Sequence, residues 1–201
     1  MTLVVQPVVL AAGASSRMGR PKALLDFSGK SALDRIAQAC LEAGTRLPVV
    51  VVGHDQEEVA PEAERLGCVV VVNSDPDRGQ TSSLQGGLGV LPEGADAFLL
   101  YPVDFPLVAA STIRALGAAY EEDEREHEIV LPCHLRKRGH PGFFAAALAE
   151  EFLDLHDDQP ASEVIHHDLA RVLEVDVEDP HVLDRIDTPE AYAAARAEFR
   201  K

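Results

Sequence analysis

Runs of apolar, largely β-branched residues alternate along the chain with stretches whose apolar positions recur every three or four residues. The runs predict strands over 3–11, 47–53, 68–73, 96–103, 128–133 and 172–177. The helical pattern falls near 31–43, 55–66, 81–91, 109–121, 145–155 and 188–199. Val49 to Val52 and Val69 to Val72 are unbroken, as expected of strands covered by helices on both faces. Ser31 with Asp34 three residues on, and Thr188-Pro189-Glu190, carry the chemistry of helix starts. Strand following helix throughout predicts an α/β fold, a three-layer αβα, Rossmann-like arrangement around a mostly parallel sheet. The stretch 132–146 breaks this rhythm with Pro132, Gly139, Pro141 and Gly142 around Phe143 and Phe144. It predicts a small irregular arm packed beside the sheet. The expectation is one domain over 1–201, with the arm (about 127–160) as an insertion.

Composition narrows the class. At 201 residues, 46% hydrophobic and 26% charged, folding buries roughly 70% of the extended-chain surface, enough for a core without disulfides or metals. No apolar run reaches the roughly 18 residues of a membrane-spanning helix. Met1 to Gly13 lacks a basic leader and runs into a glycine turn, so it reads as a first strand and not a signal peptide. Cys40, Cys68 and Cys133 lie far apart without metal-ligand spacing and read as core residues of a protein in the reducing cytoplasm. The net charge of −16 argues against a nucleic-acid partner, and nothing suggests a membrane one. The cations are uneven, however. Residues 1–30 hold Arg17, Arg20, Lys22 and Lys30 against Asp26 alone, a local +3, and Arg136-Lys137-Arg138 forms a second cluster. Positive charge concentrated in an acidic chain suits a small anion.

The first cluster lies in Leu10-Ala11-Ala12-Gly13-Ala14-Ser15-Ser16-Arg17-Met18-Gly19-Arg20-Pro21-Lys22, directly after the first strand. Small residues let the backbone approach a ligand, and successive N–H groups in such a turn form an anion-binding concavity. Arg17 can fork onto phosphate oxygens and Lys22 adds a point charge. Neither Gly13 nor Gly19 is followed by Lys-Ser or Lys-Thr, and no GxGxxG is present, so this is neither a Walker A loop nor a dinucleotide fingerprint. The parts suit a nucleoside triphosphate.

This string resembles the L-A-A-G-x-S-x-R-M-G-x-P-K signature of the MobA-like NTP transferase family, the nucleotidyltransferases of the molybdenum cofactor. The resemblance extends from Val8 to about Tyr192 and implies a nucleotide-diphospho-sugar-transferase type of fold. It implies that Leu10, Ala11, Ala12 and Gly13 hold the nucleotide and that Arg17 and Lys22 hold its phosphates. Gly79-Gln80-Thr81-Ser82-Ser83-Leu84 is similar to the G-Q-S-x-S-L motif of the cytidylyl branch, which implies nucleoside contacts for Gln80, Ser82 and Ser83; one of the three hydroxyls is also expected to cap the helix that follows. Asp104, in Asp104-Phe105-Pro106, matches the family's D-x-P metal ligand, with Val103 and Phe105 departing from G-D-Q-P. Arg138-Gly139-His140-Pro141 resembles the turn on the acceptor side, giving Arg138 and His140 as acceptor contacts. Asp187 matches the second Asp of D-I-D-T-P-E as a metal ligand, while Arg185 replaces the first. Pro160 and Ser162 break a D-x-G-A-R motif.

The sequence thus points to a Mg2+-dependent nucleotidyltransferase with Arg17, Lys22 and Asp104 as its catalytic groups. The resemblance implies CTP and molybdopterin as substrates and a molybdoenzyme as recipient of the product. GTP, a sugar or alcohol phosphate acceptor, or a non-catalytic cofactor-binding maturation protein are the alternatives left open. The nucleotide loop is intact, and the departures Phe105, Pro160, Ser162 and Arg185 fall in acceptor-side and metal-side motifs.

Overall fold

In the computed structural model, which describes residues 3–198, a mixed eight-stranded sheet carries helices on both faces. The chain runs β1 (Val5–Ala11), β2 (Asp26–Phe27), β3 (Lys30–Ser31), α1 (Ala32–Glu42), β4 (Val49–Val52), α2 (Gln56–Arg65), β5 (Val69–Val72), α3 (Gln80–Leu88) and β6 (Ala97–Pro102). It continues with α4 (Ala110–Glu122), β7 (Ile129–His134), β8 (Lys137–Arg138), β9 (Gly142–Ala145), α5 (Ala149–Leu153), α6 (Ser162–His167), β10 (Val172–Asp176) and α7 (Pro189–Glu198). The strand order is β10-β7-β9-β6-β1-β4-β5, with β8 paired to β7. All pairings among β1, β4, β5 and β6, and the β7–β10 pair, are parallel.

Every residue of β1 is buried, because alternate side chains meet opposite layers. Val5, Val9 and Ala11 pack with Leu33, Ile36, Val59, Ile113 and Leu116 of α1, α2 and α4. Val8 and Leu10 pack with Leu84, Leu88, Phe152 and Val164 of α3, α5 and α6. Burying each such aliphatic side chain contributes about 1.5–3 kcal/mol, so β1 is anchored firmly from both faces of the sheet. Ser31 caps α1 by accepting from the Asp34 N–H at 3.0 Å, and Thr188 accepts from Ala191 N–H at 3.2 Å ahead of Pro189, as their sequence predicts. The last residue of the helix expected over 188–199 lies outside the described residues. The valine run of β5 differs from its expectation: it forms the sheet edge, and Val69 and Val72 are exposed.

The 132–146 segment enters the sheet instead of packing beside it. β9 is inserted antiparallel between β6 and β7. Its two phenylalanines alternate across the sheet, Phe143 into one layer and Phe144 onto Phe98 and Phe152 in the other. Of the residues that break the sequence pattern, Gly139 and Pro141 lie in the connection between β8 and β9, whereas Pro132 is within β7 and Gly142 opens β9. The three cysteines are free and buried, and among the described residues no helix is long and apolar enough to cross a membrane.

Candidate active site

From β1 the chain crosses to β4 and β5 on one side, then returns to β6 on the other side of β1. Open α/β sheets bind ligands at such a reversal, beyond the carboxyl ends of the strands. Here those ends are Ala11 and Pro102, so the loop after β1 and the loop after β6 face one another. Between them opens a cleft of about 350 Å3, within the size range of small-molecule sites. Its walls include Leu10, Ala11, Ala12, Gly13, Ser15 and Lys22 from the first loop, and Asp104 and Phe105 from the second. Gly79, Gln80 and Ser83 of α3 close one side, and His140 and Arg185 the other.

The first loop is a tight turn held by its own backbone. Ser15 takes a positive φ of 47°, and its carbonyl accepts from the N–H groups of Met18 and Gly19 at 2.9 and 3.2 Å. The Ser15 hydroxyl accepts from Lys22 N–H at 3.1 Å, which fixes where the lysine leaves the backbone. Lys22 Nζ then reaches Asp104 Oδ1 at 2.8 Å. This contact joins the loop after β1 to the loop after the adjacent strand β6, with side chains only 17% and 11% exposed. The other loop cations go elsewhere. Arg17 pairs with Asp187 at 3.0 Å on the rim, and Arg20 lies over the Tyr192 ring.

Asp187 arrives with the segment before α7, pinned where Ile186 N–H donates to the Asp104 carbonyl at 2.8 Å. Arg185 Nε lies 3.1 Å from Asp104 Oδ2 and 3.4 Å from Asp187 Oδ2. Lys22, Asp104, Arg185, Asp187 and Arg17 therefore form a continuous line of alternating charge, three cations around two carboxylates. Both aspartates aim an oxygen at one guanidinium, so they converge on a single cationic position. Two carboxylates are the protein share of ligands typical of a hard divalent ion, the rest being phosphate oxygens and water. Among the described residues no group of three or more His, Cys, Asp or Glu is arranged for a metal. The donor set thus fits an ion delivered with a nucleotide better than a metal caged by protein alone.

On the α3 side, Gly79 with φ 107° is the N-cap and no side chain caps the helix, leaving its first-turn N–H groups open at the cleft wall. The expected hydroxyl cap is absent there because the hydroxyls are engaged otherwise. Thr81 donates to the Gln159 carbonyl and Ser82 to the Gly79 carbonyl, while Asn73 Nδ2 donates to both Ser82 and Ser83. Ser83 and Gln80 line the cleft; Ser82, buried and turned to these partners, does not.

On the opposite wall, His140 packs on Phe105 with ring centroids 4.6 Å apart, and its Nδ1 is buried without a hydrogen-bond partner among the described residues. Burial, with Arg185 nearby, pushes its pKa from 6.5 down to about 4, against the opposing pull of Asp104. The ring is therefore neutral at pH 7. The structure does not bring Arg138 to the cleft. It sits on exposed β8 and pairs with Glu174 at 2.7 Å; the Leu135-Arg136 turn, with both φ positive, folds β8 back antiparallel on β7 across from β10. The cation beside His140 is Arg185, which the sequence marks only as a departure from a motif. Ser15, a fixed position of the loop signature, also lines the cleft, as do Asp55, Val59 and Pro76, which no signal in the sequence singles out.

The chain is similar to proteins of known family. A family model described as the MobA-like NTP transferase domain matches residues 7–172. A "Probable molybdenum cofactor guanylyltransferase" of Natronomonas pharaonis is 28% identical over 94% of this chain and 95% of its own. The "Bifunctional protein GlmU" of Azorhizobium caulinodans is 35% identical over 55% of this chain, which spans about a quarter of that relative's length. Among solved structures, a nucleotidyl transferase from Methanothermobacter thermautotroptrophicus aligns with a TM-score of 0.81 and 26% identity over 98% of both chains. Rv0371c of Mycobacterium tuberculosis in complex with manganese aligns at 0.75 and 26%, over 96% of this chain and 98% of that one. With the family model matched over residues 7–172, most of its length, the chain belongs to the MobA-like NTP transferase family.

Proposed function

We propose that the cleft transfers a nucleoside monophosphate from CTP to the phosphate of molybdopterin, with Mg2+ as the ion and pyrophosphate as the leaving group. The observation that carries this reading is the Lys22–Asp104 contact of 2.8 Å between the carboxyl ends of β1 and β6. It joins a phosphate-binding cation and a metal-binding carboxylate at one point of the cleft. An acceptor phosphate oxygen attacks the α-phosphorus, and the bond to the β-phosphate oxygen breaks. The ion, when bound by Asp104 and Asp187, supplies charge neutralisation at the triphosphate oxygens. Lys22 and Arg17 hold the leaving pyrophosphate, and their hydrogen bonds strengthen as charge moves onto it. The backbone from Leu10 to Gly13 and the open end of α3, with Gln80 and Ser83, hold the nucleoside; Ser82 supports Ser83 through Asn73. Phe105, neutral His140 and Arg185 face the acceptor, and we leave Arg138 to its surface pair with Glu174. Positioning in this charge-lined cleft supplies most of the acceleration. Residues 1–201 act in this reading as one domain, cytoplasmic, with the 127–160 region as acceptor wall and a molybdoenzyme as recipient.

A second reading replaces CTP by GTP. It is favoured by the likeness to the archaeal guanylyltransferase over nearly the whole chain, whereas the cytidine reading rests on the Gly79 to Leu84 string. Pyrophosphate release from the four triphosphates, with Mg2+ and with or without molybdopterin, separates them. Molybdopterin-dependent release from CTP is expected; release from GTP alone moves the assignment to the second reading. Release from none of them contradicts both.

A further inference from the structure

We infer that Arg185 is a resident cation standing in the divalent-ion position between Asp104 and Asp187, and that the metal must displace it to bind. The inference rests on the reading of those two aspartates as metal ligands. It follows from where the guanidinium stands. Its Nε is 3.1 Å from Asp104 Oδ2 and 3.4 Å from Asp187 Oδ2, so it engages one oxygen of each carboxylate that would hold the ion. The remaining oxygen of Asp104 is held by Lys22 at 2.8 Å, and Asp187 Oδ2 is shared with Arg17 at 3.0 Å. Without a cation between them, two carboxylates this close would repel. With Arg185 present the cluster of five groups carries a formal charge of +1, which repels a free divalent ion and attracts a triphosphate.

The side chains differ in their freedom to leave. Lys22 is only 17% exposed and anchored through Ser15. Arg185 and Arg17 are 58% and 63% exposed and lose little packing when they swing outward. An incoming triphosphate brings about four negative charges, which can draw both arginines off the aspartates as the ion arrives. Arg185 thereby makes metal binding conditional on nucleotide. Its second consequence is positional: a guanidinium released from the carboxylates remains in the cleft wall beside His140, on the side assigned to the acceptor.

The test is a titration of nucleotide-free protein with Mn2+ alone, followed by electron paramagnetic resonance of the free ion, with thermal unfolding of each variant as a folding control. Arg185→Gln and Arg185→Ala should bind Mn2+ at least tenfold more tightly than wild type. Arg185→Lys, which keeps the charge, should stay within about threefold of wild type. The tightened binding should disappear in Arg185→Gln combined with Asp187→Asn. Equal affinity in wild type, Arg185→Gln and Arg185→Ala, with weaker binding in Asp187→Asn, overturns the role of Arg185 while leaving the carboxylate site standing. Mn2+ affinity of Arg185→Gln that is indifferent to Asp104→Asn and Asp187→Asn overturns the metal reading and this inference together.

Discussion

The two walls of the cleft are built differently. The wall assigned to nucleotide comes from two locally closed segments: the turn after β1 closes on Ser15 within a few residues, and α3 presents its own uncapped end. The opposite wall is assembled from three distant segments. Ile186 N–H bonds to the Asp104 carbonyl, His140 N–H bonds to the Val182 carbonyl at 2.9 Å, and Phe105 lies on His140. A wall made of local backbone tolerates little variation in sequence, because the turn geometry itself is the binding surface. A wall made of side chains from separate loops can exchange them, and it is here that Phe105 and Arg185 stand, two of the residues that depart from the motifs the sequence resembles.

The largest expected effect lies where the walls meet. Lys22→Ala removes a cation acting on charge that grows on pyrophosphate, and should lower turnover by about 10²–10³. Single-turnover measurements check this, with unfolding curves to exclude loss of fold. Unchanged turnover removes Lys22 from the chemistry.

A second difference between the walls is their response to acid. The folded His140 ring resists protonation down to about pH 4, whereas its ordinary pKa is 6.5. Its contribution to stability is therefore full above about pH 6.5 and is lost as the pH falls towards 4, by at most about 3 kcal/mol. Denaturant unfolding of wild type and His140→Gln across this window measures it. Wild type should lose more stability than the variant; parallel curves contradict the buried, neutral ring.

Two glycines allow each wall to be disturbed alone. A methyl at Gly53 would lie 2.7 Å from the Ala12 carbonyl oxygen and 2.9 Å from Pro76 Cβ, pressing the nucleotide wall outward. A methyl at Gly139 would lie 2.5 Å from the Val182 carbonyl oxygen, parting the acceptor wall. Overpacking of this kind costs about 1–3 kcal/mol. Gly53→Ala should raise the KM for triphosphate about tenfold and Gly139→Ala that for acceptor, each with little effect on the other. If both variants change both constants equally, the walls are not separate. The smallest effect is expected of Arg138→Ala: its ion pair with Glu174 is exposed and contributes about 0–1 kcal/mol, so acceptor KM should move less than about twofold.

Legibility in the sequence follows the same division. The parallel strands and their helices are readable because long apolar runs and helical periods are local properties, as is the thirteen-residue loop. β9 escapes because four residues flanked by Pro141 and an alanine run give too short an alternation, although Phe143 and Phe144 do alternate between layers. The β2–β3 hairpin and α6 are hidden by the same brevity. Arg185 reads in sequence only as a carboxylate replaced by its opposite charge. Its position between two aspartates depends on a backbone bond spanning 82 residues, from Ile186 to Asp104, which no local pattern encodes. Arg138 misleads for the converse reason: its motif neighbour His140 lines the cleft, while Arg138 itself is held on the exposed β8 strand.

The central claim is that the strand-end aspartate facing Lys22 holds the ion for nucleotidyl transfer. Its most direct test is acceptor-dependent pyrophosphate release by wild type and Asp104→Asn across a Mg2+ titration, with metal-free nucleotide binding measured in parallel. Asp104→Asn keeps the shape and removes the charge, so turnover should vanish at every Mg2+ concentration while metal-free binding stays near that of wild type. Equal turnover in the two proteins, or wild-type turnover without any divalent ion, contradicts the claim.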